Sequence, residues 1–443
     1  MKIVRFAALM MIGTLFLPSP NPAAQFNFTP IVTVSEEYND NIYLTSRDTK
    51  DDFITRTSVG FSASLLGRTS GLELNYLPAY EWYADYSEND GWTQDATARL
   101  YKDFSPSSHL ELTSAYLRTN DPIGNSLATT SNDPLVAPEI AVDYNRRGRN
   151  VYDNYASTLR LDQQFGAEDS FYTALRYSML RGVDLVGVPD DVNDNNIWTP
   201  SVGGTYWFTN FWGIEGDVSY ANIDYKVKDD LWQGYGRLRL NRRLNRHLSV
   251  YGQYAHTIVD YTEGLSSDYQ VYEPTVGFNY QLDQNTRIDI GVGWYFQNFD
   301  RGEDQDGFLL NALADKVWPF RRGLVGVTLL AGTNIDNQGV VNAGFQQYYA
   351  VQTRAEYAFT PRFSSNANVG YRWNEYPDRN PNLTEKILSA GAGLEYQALR
   401  WMFLNLDYTY TDFVSDISLN EYTENRVIFS ITFTPDQPFR ANW

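Results

Sequence analysis

Between Gly71 and Tyr86 apolar and polar side chains alternate one by one. Leu72, Leu74, Tyr76, Pro78, Tyr80, Trp82, Ala84 and Tyr86 take the even positions, and Glu73, Asn75, Glu81 and Asp85 stand among the odd ones. Successive strand side chains point to opposite faces, so a period of two predicts one long strand with an apolar and a polar side. Strands of soluble domains run to about five or six residues, whereas crossing a bilayer takes about nine to eleven tilted ones. The same alternation recurs over 53–65, 269–282, 286–297, 345–359 and 401–411. It returns in Val427, Phe429, Ile431 and Phe433 against Arg426, Ser430 and Thr432.

The connections between these runs are of two kinds. Gly67–Ser70, Ser105–Ser108, Gly166–Asp169, Asp283–Thr286 and Thr360–Arg362 have the residue types of tight hairpins. The other series is mostly longer and acidic: 37–52, 120–148, 184–196, 261–268, 300–306 and 374–386, with short members at 87–91 and 228–231. Short turns at one rim and long loops at the other predict an all-β fold, a single up-and-down antiparallel transmembrane β-barrel of about 20 strands, with 18 as the alternative. An even count, from a first strand near 29–37 to a last near 425–434, leaves both ends of the barrel at the periplasmic rim. A propeller or β-helix would show a recurring signature that this chain lacks, and a sandwich would have shorter strands. Trp82, Tyr86, Trp198, Trp207, Trp294 and Trp373, near strand ends, suit two interfacial aromatic girdles.

Composition sharpens this picture. The 443 residues include 33 Tyr, 24 Phe and 11 Trp, yet mean hydropathy is -0.43, as expected when lipid-facing and lumen-facing residues alternate. The absence of cysteine excludes disulfides, thiolate metal sites and cysteine nucleophiles. A net charge of -19 argues against nucleic acid as a partner. Lys2 and Arg5, the apolar run Phe6–Leu17, three prolines and Ala23-Ala24 predict an export signal over 1–24, without a lipoprotein anchor. The barrel then occupies 25–434, and 435–443 form a C-terminal periplasmic tail. The expected location is the outer membrane of a Gram-negative-type bacterium.

The segment Phe28 to Ile42, with its Glu37-Tyr-Asn-Asp-Asn-Ile42 end followed by Asp48, Asp51 and Asp52, resembles the start of the family named Putative beta-barrel porin 2. The closing Ile431-Thr432-Phe433-Thr434-Pro435 is similar to that family as well. The resemblance implies an outer-membrane barrel, in some members associated with exopolysaccharide export. It carries no functional residues over.

Catalytic chemistry finds little support. His109 and His247 fall beside short turns and His256 continues an apolar register, so no Ser-His-Asp arrangement is expected. No phosphate loop or HExxH motif is present. The acidic clusters at 48–52, 190–194, 229–230 and 303–306 lack the spacing of a calcium loop and read as solvated loop acids. We expect no enzyme activity, no cofactor and no metal. The polar strand faces are the better candidates: Arg56, Glu81, Asp95, Arg99, Arg160, Arg176, Arg237, Arg239, Arg354 and Arg372 are expected to line a pore, with Tyr83 and Tyr101 also inward. A barrel of about 16 to 18 strands already leaves an aqueous channel. Loop 120–148 is a candidate constriction, with Arg146, Arg147 and Arg149 at the mouth, although an outward loop is the simpler reading. No plug domain precedes the first strand, which argues against an energised receptor. The function expected is a channel for small polar solutes or saccharides, extending to exopolysaccharide export. The alternative is a non-transport surface barrel with a structural or adhesive role through its acidic loops. Expected partners are outer-membrane lipid and lipopolysaccharide, the barrel-assembly machinery and a saccharide.

Overall fold

In the computed structural model the described residues are 24–121, 148–183, 194–262, 267–336, 344–377 and 383–442. The export signal and most of loop 120–148 lie outside them. The strands are β1 (Gln25–Asn39), β2 (Asp52–Leu66), β3 (Ser70–Tyr83), β4 (Gly91–Ser105), β5 (Ser108–Thr119), β6 (Val151–Gln164) and β7 (Ser170–Val183). They continue as β8 (Asn195–Trp207), β9 (Trp212–Tyr225), β10 (Leu231–Arg243), β11 (Leu248–Tyr261), β12 (Tyr269–Asp283), β13 (Thr286–Phe299) and β14 (Gln305–Phe320). The last are β15 (Gly323–Asp336), β16 (Gly344–Thr360), β17 (Phe363–Tyr376), β18 (Leu383–Leu399), β19 (Met402–Ser415), β20 (Tyr422–Phe433) and the short β21 (Phe439–Asn442). Each long strand pairs antiparallel with its chain neighbours, and Val32–Asn39 of β1 pairs with Phe433–Arg426 of β20 to close the sheet. The fold is therefore an all-β closed antiparallel barrel of twenty long strands. Closure leaves no free edge, which is what hydrocarbon demands of a sheet.

The C-terminal end departs from the expected tail. Phe439–Asn442 pairs with Phe28–Gln25, so β20 and β21 are two pieces of one closing strand, interrupted over Thr434–Pro438. Pro30 of β1 stands opposite this interruption. Three other mid-strand prolines follow the same rule. Pro78 lies where β2–β3 pairing lapses, Pro200 where β8–β9 lapses and Pro274 where β12–β13 lapses. A proline has no amide hydrogen to give a ladder, so it is tolerated only where the ladder is already broken. The chains approach closely at two of these breaks. A Cβ on Gly60 would lie 2.1 Å from the Tyr76 carbonyl oxygen, and one on Gly293 the same distance from that of Pro274.

The outward face carries the apolar band. Val59, Leu238, Val276 and Val202 are more than half exposed. Two aromatic belts border it. Near the long-loop rim Tyr80 meets Trp82 and Trp92, and Tyr177 meets Trp198 at 4.5 Å between ring centroids. Near the short-turn rim Phe165 meets Phe171 and Tyr206, Phe359 meets Tyr357 and Phe363, and Trp401 meets Phe433. Trp294 and Trp373 join the first belt as exposed rings. Tyr86 does not: it packs edge-on against Tyr43, beside buried Ile42.

The loop acids are not simply solvated. Carboxylates of Asp90, Asp230, Asp268 and Asp304 accept the backbone N–H of Tyr83, Tyr225, Tyr261 and Phe299, in each case an aromatic residue at the end of the strand before the loop. Asp194 accepts from Gly182, and Asp416 from Thr384. Strand-end amides with no ladder partner are satisfied this way. Asp52, 1% exposed, accepts from three: Phe53, Asp85 and Tyr86. Asp52→Ala should cost roughly 2–3 kcal/mol, because buried donors are left unmet. Heat-dependent gel mobility would register this as a lower transition, with Asp52→Asn intermediate; equal transitions would show the caps to be dispensable.

Candidate functional site

The inner face is built at three places: a clasp at the mouth, a charged wall, and a hairpin that leaves the wall. At the mouth the β1–β2 loop folds inward. Ile42 (0% exposed) packs with Ile54 and Tyr83, and Leu44 (1%) with Ile387, Phe413 and Tyr422. These partners flank β1 on both sides, so the loop lies across the closing seam. The Asn-rich motif makes the clasp. Asn39 donates to Glu424 at 2.7 Å, Asn41 donates to the carbonyls of Thr45 and Thr423, and Asp40 accepts both the backbone N–H and the side-chain amide of Asn425. Arg426 stands beneath it with Glu37 at 3.2 Å, Asp121 at 2.8 Å and Glu424 at 2.9 Å. Arg149, just before β6, donates to the Ile42 carbonyl at 2.7 Å and lies over the Tyr83 ring. Burial works against its charge, but Tyr83, Asp121 and Glu37 outweigh burial and raise its pKa above the ordinary value. Arg149 is thus at the mouth, whereas Arg146 and Arg147 lie outside the described residues.

Along the wall nearly every predicted cation has a partner on its own face. Arg56 is 3.8 Å from Glu81. Arg99 bridges Glu111 at 2.7 Å and Glu73 at 3.3 Å, and Asp95 lies on the same β4 face. His109 sits at the short-turn end of this row, between Asp103 and Glu111. Arg160 pairs with Asp162 and stacks on Tyr172 at 4.4 Å. Arg237 pairs with Glu215 and Asp217, and Arg239 with Asp289 while lying 4.0 Å over Tyr251. Arg372 donates to Asn374 and covers Tyr348. Among the described residues Arg372 has these neutral partners but no ion pair, and Arg176 and Arg354 have no ion pair either.

The hairpin is the feature that sequence periodicity did not predict. β15 and β16 pair along their whole length, from Gly323↔Tyr357 to Asp336↔Gly344. Yet β14–β15 pairing stops at Ala312↔Ala331, and β16–β17 pairing stops at Gln347↔Glu375. Residues 332–336 and 344–346 therefore pair only with each other and leave the wall. They turn inward. Thr333 donates to Glu273 of β12 at 2.6 Å, although β12 and β15 are three strands apart, about 14 Å along the sheet. Phe345, 1% exposed, packs at a tilt against Tyr295, 4.9 Å between ring centroids, and joins a buried cluster with Ile197, Ile223, Leu231, Val259 and Val271. Gln346 donates to Tyr376, and Gln347 to the Phe308 carbonyl that β15 abandons. Between hairpin and wall lies a cavity of about 660 Å³, lined by Arg160, Arg237, Arg239, Glu215, Asp217, Tyr172, Tyr235, Glu273, Asn334 and Tyr348, among others. Glu273 shares its face with Thr275, so alternation alone would have found it. Phe345 carries no such signal.

Comparison with solved structures returns outer-membrane barrels. The FrpB iron transporter of Neisseria meningitidis is 10% identical over 92% of this chain and 82% of its own, with a TM-score of 0.50. The ferric enterobactin receptor PfeA of Pseudomonas aeruginosa is 9% identical over 92% and 81%, with a TM-score of 0.49. OccK2 (OpdF) of the same species is 13% identical over 92% and 98%, with a TM-score of 0.39. Such identities speak for fold alone. No curated protein matches the chain. The profile of the family named Putative beta-barrel porin 2 matches residues 239–434, and over that stretch, from the end of β10 past β20, the family resemblance is shown.

Proposed function

We propose that this protein is a channel of the Gram-negative outer membrane that passes small polar solutes, saccharides among them, with export of a nascent exopolysaccharide as the narrower form of the same role. The supporting observation is a closed twenty-strand barrel whose charged inner wall is narrowed by its own β15–β16 hairpin. Fold and family point to a channel or transporter rather than an enzyme. Asp90, Asp230, Asp268 and Asp304 of the long loops serve as strand caps, which weakens an adhesive reading of those acids. Membrane lipid, lipopolysaccharide and the assembly machinery are the partners such a barrel would need.

Purified protein in planar bilayers should give discrete conductance steps, and silence at every voltage would reject the channel. Arg176→Glu and Arg354→Glu change charges that have no ion pair among the described residues, so each should shift the cation-to-anion permeability ratio by about a factor of two or more toward cations. Unchanged reversal potentials would remove both residues from the solute path.

A further inference from the structure

The cavity beside the hairpin has one ionisable group whose chemistry is left open. Its three guanidiniums are each matched by carboxylates: Arg160 by Asp162, Arg237 by Glu215 and Asp217, Arg239 by Asp289. Glu273 is the opposite case. It is 6% exposed, lines the cavity, and accepts a single hydrogen bond, from Thr333, with no cation paired to it among the described residues. Its backbone sits next to Pro274 at the lapse in β12–β13 pairing. An anion held out of water with one neutral donor is poorly compensated, and a ligand that brings a positive donor would complete it. An anionic solute meets the reverse situation, since no cavity guanidinium is free to receive it.

We propose that Glu273 is the recognition carboxylate of a luminal binding site for a small polar solute bearing an ammonium group. The chemical class is a hydroxylated primary amine, its ammonium donating to the free oxygen of Glu273 and its hydroxyls meeting the amide and phenol groups of Asn334, Tyr235 and Tyr348. This deepens the channel reading and rests on it for the solute's route.

The probes are glucosamine, glucose and N-acetylglucosamine, titrated calorimetrically into the detergent-solubilised full chain at neutral pH. Glucosamine should bind at least about tenfold more tightly than either neutral sugar, the value of one charge-assisted hydrogen bond. Glu273→Gln should abolish the preference while leaving heat-modifiable gel migration unchanged. Equal binding of the three sugars, or a preference that survives in Glu273→Gln, overturns the site. Should Glu273→Gln fail to fold, Glu273→Leu, which removes the carboxylate without leaving a buried polar group, must also lose the preference; its survival there overturns the proposal. Bilayer silence alongside a clear glucosamine preference would sink the channel and leave the site standing. Conductance without the preference would do the reverse.

Discussion

Replacing residues 333–346 with a short Gly-Ser turn should raise single-channel conductance several-fold. Barrels of about 16 to 18 strands already enclose an aqueous channel, so in a barrel of twenty the obstruction must come from what enters it. Among the described residues the β1–β2 loop enters at the mouth, and deeper in the barrel it is the hairpin, anchored by Thr333 on Glu273 and by Phe345 in its apolar seat. The part of β15 and β16 that does pair with β14 and β17 is untouched by the cut, so the wall should close as before. A gentler form of the experiment is Phe345→Ala. Truncating a buried phenylalanine costs about 3 kcal/mol or more, which is over a hundredfold in the balance between seated and released hairpin. The trace should then show longer or larger openings. Wild-type conductance in the shortened protein would mean that the hairpin does not bound the path.

Arg426→Leu should produce the largest loss of stability of any single wall substitution. The guanidinium sits among Glu37, Asp121 and Glu424, with Glu424 2% exposed, and joins β1 and β20 where the barrel closes. Removing one partner from a buried ionic cluster costs about 3–5 kcal/mol, because the remaining charges stay desolvated. The temperature at which the folded band disappears on semi-native gels should fall sharply. Arg426→Lys should recover part of it, keeping the charge but losing the fork that reaches three carboxylates. Arg99→Ala provides the contrast. Arg99 also meets two carboxylates, but it is 45% exposed at the side chain, and such pairs are worth about 0–1 kcal/mol. Equal transitions for wild type and Arg426→Leu would show that backbone pairing alone holds the seam.

The barrel itself was legible because its rule is local. Alternation in 71–86 or 286–297 states which side chains meet lipid, and tight-turn residues such as Asp283–Thr286 state where the chain reverses. Less marked turns, at 208–211, 244–247 and 321–322, completed the count only in the structure. The loop aspartates were misread as solvated because composition does not show an acceptor's target. An aromatic strand end followed some five to seven residues later by Asp, as in Tyr83 and Asp90 or Phe299 and Asp304, is the sign that was there. The hairpin was not legible at all. A period of two fixes the face of a residue relative to its own strand, not whether that strand stays with its neighbours. Phe345 leaves the wall for a seat made by β8 to β13, a matter of distant partners.

The split closing strand has a consequence for how copies of the chain treat one another. The final four paired residues cover the main-chain donors and acceptors of Gln25–Phe28. A chain shortened to Phe433 would carry a bare lip there, and an uncovered strand margin is a template for another polypeptide. The short terminal piece thus works as a latch over a margin that would otherwise lie bare.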